Sequence, residues 1–204
     1  MSELREDKIK PVLFCDFDGT ICHDRYWRSL PSEIYEKVQS LLFGLDKIFI
    51  NDWMRGKYTA EEANEYVSKK IDFPFEELWS LFVNDCKTMK VDSAVLNKLS
   101  ALRNDYRTIL LTGNMDSFSR FTVPALELNK YFDHVSNSYY EEKHKTDNNG
   151  EIFVEYCNKF KTNVSNSVLI DDSPKVCQIF AHLGGTVMQI TPETDINYFL
   201  ENSF

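Results

Sequence analysis

The sequence predicts an α/β fold, a doubly wound parallel sheet interrupted after its first strand by an all-helical insertion. Three observations carry this. Short apolar runs that end in polar residues recur as "KPVLFCDFD", "RTILLTGN" and "SVLIDDSPK". Helical patterns separate them, as expected where strands and helices alternate. From about Arg25 to Met89 the alternation stops and the pattern reads as helices only. The expected division is an α/β core from residues 1–22 and 90–204, with a helical domain at 23–89.

The first strand is the run before Asp16 and Asp18, short, Leu- and Val-containing and suited to burial on both faces. In the insertion, "SEIYEKVQSLLFGL" places Ile34, Val38, Leu41, Leu42 and Leu45 on one helical face. "TAEEANEYVSKKI" opens with Thr59 and Glu62, a capping-box pair. "PFEELWSLFVNDC" gathers Leu78, Leu81 and Phe82, with Phe75 and Trp79 nearby. The α/β pattern resumes near residue 92 with a helix through Val95, Leu96, Leu99 and Leu102, capped by Ser93. "RTILLTGN" is the second strand, and Asp116 is expected to cap a helix that Pro124 breaks or restarts. "YFDHVSNS" is a weaker strand candidate, followed by a helix repeating Ile152, Phe153, Tyr156, Cys157 and Phe160. "SVLID" then forms a strand, and Ser173 and Pro174 start a helix that stops at Gly184 or Gly185. "GGTVMQIT" supplies a further strand.

With 204 residues and 43% apolar content, the chain suits one domain, or a domain with an insertion, that needs no covalent staples. A formal charge of −9 argues against binding nucleic-acid backbones, which need a basic surface. No apolar run approaches the ~20 residues of a membrane span. Five cysteines without CxxC spacing, and a charged start "MSELREDKIK" without an apolar targeting run, predict free thiols in a reducing, cytoplasmic setting.

In open parallel sheets, ligands bind beyond the carboxyl ends of the strands. Asp16, Asp18, Thr112, Asp171 and Asp172 all follow such ends, so one sheet edge should gather them. Strand alternation points Asp16 and Asp18 one way and Cys15 and Phe17 the other, and Gly19 permits a sharp turn. Clustered carboxylates resist ionisation, and a hard cation relieves that repulsion. Mg²⁺ takes oxygen ligands and bridges carboxylates to a substrate phosphate, whereas soft metals need His or Cys at ligand spacing, and none is seen here. A carboxylate is able to attack phosphorus, and a second one to shuttle the proton. Thr112 and the amides after it, at Gly113 and Asn114, are suited to donating to phosphoryl oxygens.

"DFDGT" at 16–20, "LLTGN" at 110–114, a downstream lysine and "LIDDSPK" at 169–175 resemble the haloacid dehalogenase-like superfamily of hydrolases, over roughly residues 10–190. The resemblance implies a Rossmann-like core, and Asp16 as nucleophile with Asp18 as general acid/base. It implies Thr112 on the transferring phosphoryl, and Mg²⁺ held by Asp171, Asp172, the Asp16 carboxylate and the Asp18 carbonyl. The name-giving dehalogenases lack an aspartate at the Asp18 position, so its presence implies a phosphatase or phosphotransferase. The insertion resembles a cap that opens and closes over small substrates. The family's lysine sits in a KP-type signature that this chain lacks. Of Lys143 and Lys145, the second lies nearer the helix that starts near Gly150 and is favoured. Arg25, Arg28 and Arg55 are candidate contacts for the rest of the substrate. The expected function is Mg²⁺-dependent hydrolysis of a small phosphate monoester. The alternatives are phosphoryl transfer or mutase chemistry by the same route, or a non-catalytic phospholigand-binding protein.

Overall fold

The computed structural model describes residues 9–204. The charged start of the chain, residues 1–8, lies outside them. One sheet contains β1 (Val12–Cys15), β2 (Arg107–Thr112), β3 (His134–Asn137), β4 (Val168–Asp171) and β5 (Thr186–Gln189). Every pairing is parallel, and the order is β3-β2-β1-β4-β5. The weak candidate at "YFDHVSNS" is therefore a true edge strand. The α-helices of the insertion are α1 (Ser32–Gln39), α2 (Lys47–Trp53), α3 (Ala60–Ile71) and α4 (Phe75–Lys87). Those of the core are α5 (Ser93–Ala101), α6 (Val123–Ala125), α7 (Ser138–Glu141), α8 (Glu151–Lys159), α9 (Pro174–His182) and α10 (Ile196–Asn202).

The central strand is buried along its whole length, which is why its sequence is continuously apolar rather than alternating. Its side chains divide between two cores. Leu13 and Cys15, with Phe17 just beyond the strand, join Val95, Leu96 and Leu99 of α5, and Ile196 of α10. Val12 and Phe14 join Phe153 of α8 and Phe180 of α9, with ring centroids 5.1 and 5.7 Å from Phe14. β1 lies between β2 and β4, in register Cys15↔Leu110 and Cys15↔Ile170. The three strand ends that carry the polar clusters are thus neighbours.

The insertion has its own core, in which Trp27, Trp53 and Phe82 are fully buried with Val38, Leu42 and Leu78. Trp27 adopts a left-handed backbone (φ 60°), an unusual state for a bulky residue. Its indole stacks near Phe82 at 4.7 Å and donates to Asn64 at 3.0 Å, which offsets the backbone cost. The two chain segments that join insertion to core are tied by Lys90 N donating to Asp24 Oδ2 at 2.9 Å.

Three local expectations are corrected. The helix from Ser32 does not keep one face to Leu45, because it widens into a π-helical stretch at Ser40–Leu45. The wider turn rotates the following residues, so Val38 and Leu42 are buried but Leu45 is 85% exposed. The α5 cap is Asp92, whose side chain accepts from Ala94 N at 2.8 Å, and not Ser93. Asp116 does not cap its own helix; its carboxylate serves the insertion, as described below. Pro124 sits in the first turn of α6, after a π-helical stretch at Phe118–Thr122. The Thr59–Glu62 capping box and the Ser173 cap form as expected.

Candidate active site

Asp16 follows β1, and its amide donates to Ile170 O at 2.9 Å, which fixes it beside the end of β4. Asp171 closes β4 itself, and Thr112 closes β2. Carboxylate oxygens of Asp16, Asp171 and Asp172 lie within 4.8 Å of one another. Lys145 is buried against them, its ammonium 2.5 Å from Asp171 Oδ2 and 3.0 Å from Asp16 Oδ1. Lys143 is remote from this cluster and pairs with Glu155 at 2.7 Å on the surface. Asp18 Oδ2 accepts from Asn114 Nδ2 at 2.6 Å, and its charge is felt by Asp16.

Gly19 explains how two acidic loops come so close. Its φ of +77° suits glycine, and a Cβ there would meet Asp172 Oδ2 at 2.3 Å. The absent side chain is the space that the Asp172 carboxylate fills.

Burial and crowding raise the carboxylates. Burial pushes Asp16 up to about 7, Lys145 opposing it and Asp171 adding to it. Burial pushes Asp18 up to about 6, against the charges of Arg25 and Lys145. Asp172 is raised by burial and then by Asp171. For Lys145, burial alone acts downward, but Asp16 and Asp171 outweigh it and hold the ammonium above its usual value.

The structure places Asn114 differently from the phosphate-binding expectation. Its Nδ2 is engaged by Asp18, its Oδ1 accepts from Tyr26 OH at 2.7 Å, and its backbone amide donates to Ser138 Oγ at 3.0 Å. Thr112 lies within 3.5 Å of the same Nδ2. Gly113 is uncrowded, the nearest atom to a Cβ there being His144 Nδ1 at 3.9 Å. Sequence reasoning missed Tyr26, because nothing local marks a tyrosine that reaches a residue 88 positions away.

Of the three arginines, two are engaged elsewhere. Arg28 donates to Asp85 O, Thr88 O and Thr88 Oγ1, closing the carboxyl end of α4. Arg55 pairs with Asp147 at 2.6 Å, two residues beyond Lys145. Arg25 lines a cavity of about 290 Å³ between insertion and core, with Asp18, Tyr26, Gln39, Phe43, Met54, Gly113, Asn114 and Met115.

Asp116 fastens the insertion to the core beside this cavity. It accepts from Trp53 Nε1 at 2.8 Å, Ala60 N at 3.1 Å and Arg120 Nη1 at 2.8 Å, and Arg120 also grips Glu61. Ser138 Oγ adds a bond to Met54 O at 2.8 Å.

The donor set fits a hard divalent cation. It is all carboxylate oxygen, and Asp16 Oδ1 is buried without a well-aligned hydrogen bond despite the nearby ammonium. Among the described residues no other group of three or more His, Cys, Asp and Glu side chains converges in this way. No helix among them is long and apolar enough to cross a membrane.

The family of haloacid dehalogenase-like hydrolases matches residues 11–184. The chain belongs to this family of hydrolases. No curated protein matches the sequence. A HAD family enzyme from Bacteroides thetaiotaomicron, solved with magnesium and inorganic phosphate, superposes with a TM-score of 0.71 at 18% identity, covering 91% of this chain and 96% of its own. A 2-haloacid dehalogenase from Pseudomonas syringae pv. Tomato superposes with a TM-score of 0.63 at 15% identity, covering 91% and 88%. A HAD-like family hydrolase from Porphyromonas gingivalis does so at 0.62 and 17%, covering 89% and 91%. At these identities the likeness establishes the shared fold.

Proposed function

We propose that this hydrolase is a Mg²⁺-dependent phosphomonoesterase for a small phosphorylated metabolite, working through an aspartyl-phosphate on Asp16. The observation that carries this is the convergence of Asp16, Lys145, Asp171 and Asp172 at one sheet edge, with Asp18 held by Asn114.

In this reading Asp16, Asp171 and Asp172 hold the metal, together with the Asp18 backbone carbonyl. The bound cation supplies charge neutralisation for the carboxylates and the phosphoryl oxygens. Lys145 neutralises Asp16 and the incoming phosphate, and Thr112 and the Gly113 amide donate to phosphoryl oxygens. An Asp16 carboxylate oxygen attacks phosphorus as the bond to the ester oxygen breaks. Asp18, held by Asn114, gives that oxygen its proton and the alcohol leaves. Water then attacks phosphorus while Asp18 takes its proton. The bond to Asp16 breaks, and inorganic phosphate is released.

The raised Asp18 suits this work, since a carboxyl near 6 holds a proton part of the time near neutrality. An aspartate at this position favours phosphate esters over haloacids. Residues 23–89 act as a cap that shields the reacting centre from bulk water. The substrate is a small molecule, because the cavity is only about 290 Å³. Five buried, unpaired cysteines support a reducing, cytoplasmic setting.

The test is hydrolysis of p-nitrophenyl phosphate with Mg²⁺, with EDTA, and by Asp16→Asn. Activity is expected only from the metal-loaded wild type. Activity that survives both metal removal and Asp16→Asn would overturn the mechanism.

A further inference from the structure

The cavity beside Asp18 has an unusual inventory. Its walls are largely apolar, from Phe43, Met54, Met115 and the ring of Tyr26. Its polar groups are mostly engaged: Asn114 by Asp18 and Tyr26, and the Tyr26 hydroxyl by Asn114. Gln39 and Arg25 are less committed, and of these Arg25 alone is charged. Among the described residues no carboxylate lies within the 4.0 Å of an ion pair from its guanidinium, and its hydrogen bond is a long one to its neighbour's carbonyl, Asp24 O, at 3.4 Å. Arg28 and Arg55, from the same part of the sequence, are each held by acidic partners. A chain with 32 acidic residues against 23 basic ones leaves this guanidinium open beside its reacting centre.

Arg25 shares its cavity with Asp18 and Gly113, so the Gly113 end would meet the phosphoryl and the rest of the cavity the alcohol. Lys145 stands with Asp16, where the transferring phosphoryl would sit. Arg25 stands on the Asp18 side, and Asp18 faces the departing alcohol. A cation there meets the alcohol portion of the substrate. The fork of a guanidinium matches a carboxylate or a phosphate, both planar or trigonal arrays of oxygens. The cavity is about 290 Å³, roughly ten water volumes, so little more than a short chain or one ring fits beside the phosphoryl.

We propose, on the phosphomonoesterase reading above, that Arg25 is a specificity residue. The substrate is a compact monoester whose alcohol carries a second negative charge, joined to the ester oxygen by a short apolar stretch. Phe43, Met54 and Met115 pack on that stretch, and Arg25 pairs with the far anion. The pairing also offsets the repulsion that an acidic protein imposes on a multiply charged ligand.

The experiment compares three-carbon substrates matched in all but the far group: 3-(phosphonooxy)propanoate, its carboxamide, and propane-1,3-diyl bisphosphate. p-Nitrophenyl phosphate serves as a fourth reference, its alcohol portion carrying no anion. Wild type should favour at least one charged substrate over the carboxamide by about tenfold or more in kcat/KM, chiefly through KM. Which of the two it favours identifies the anion as carboxylate or phosphate. Arg25→Gln should bring that ratio to about one, and Arg25→Lys should restore part of it. The ratio cancels any effect common to all substrates, including a changed Asp18. Equal use of charged and uncharged substrates by wild type, or an unchanged ratio in Arg25→Gln, overturns this inference alone. No hydrolysis of any of the four overturns the phosphomonoesterase reading and this inference with it.

Discussion

Lys145→Met is the sharpest perturbation of the site. The lysine is 9% exposed and is wedged between Asp171, which is fully buried, and Asp16, which is nearly so. Removing it leaves two carboxylates facing each other without a cation. Breaking one partner out of a buried ion pair costs about 3–5 kcal/mol. For a chain of this size that is a fall in Tm of about 6–20 °C. The cost depends on pH in a definite direction. Asp16 already has a raised folded pKa, so the folded state binds protons that the unfolded state releases between about 4 and 7. Without Lys145 that affinity rises further, and protonation relieves the repulsion. The gap between variant and wild type should therefore be larger at about pH 8 than at about pH 5.5. Added Mg²⁺ should narrow it too, by returning positive charge to the carboxylates. Urea unfolding at the two pH values, with Mg²⁺ and with EDTA, reads all three effects. A loss under about 1 kcal/mol at pH 8, or one that grows on acidification, would refute the reasoning.

Further outcomes follow from other contacts. Protons compete with the metal at Asp16, which titrates near 7, so the Mg²⁺ dissociation constant of the wild type should rise about tenfold per pH unit below that value; a flat profile by calorimetry counts against metal binding there. Gly19→Ala forces a Cβ into the Asp172 carboxylate and strains a backbone at φ +77°, so Mg²⁺ affinity should fall about tenfold or more, with about 1–3 kcal/mol of stability lost. Asp116→Ala strips acceptors from the Trp53 indole and the Ala60 amide and should cost about 2–4 kcal/mol by urea titration, a neutral result being the refutation. Tyr26→Phe frees the amide of Asn114 and should lower kcat several-fold on p-nitrophenyl phosphate with KM changed less; unchanged kcat would remove Tyr26 from the positioning of Asp18.

What was legible in the chain was whatever depends on local pattern plus one topological rule. A buried parallel strand writes itself as a continuous apolar run, and its carboxyl end faces the ligand side, so Asp16, Thr112 and Asp171 were readable as neighbours. Lys145 was readable because the helix near Gly150 begins close behind it. Partner choice was not legible. Asn114 was expected to face phosphate, yet the residue it grips lies 96 positions away. Arg28 and Arg55 looked as available as Arg25 until the fold brought Asp85 and Asp147 to them. Leu45 followed a helical period correctly, but a π-helical stretch, a rare local widening with no reliable signature, turned it outward. Asp116 looked like a helix cap because capping is the commonest use of an aspartate at that place. Its actual work needs the Trp53 indole, 63 residues earlier.

The fastenings around the cavity are unequal, so on the reading of residues 23–89 as a cap they would define a hinge side and a latch side. The hinge is Asp116, buried and holding three donors. The latch is Arg55 on Asp147, a bidentate pair about a third and a quarter exposed and so weakened by salt. The cheaper side to release is therefore the one whose anchor stands two residues from Lys145. On the cap reading, opening at that corner would pull on the loop that presents the ammonium to Asp16. Ligand entry and the charge around Asp16 would then be coupled through one short stretch of chain.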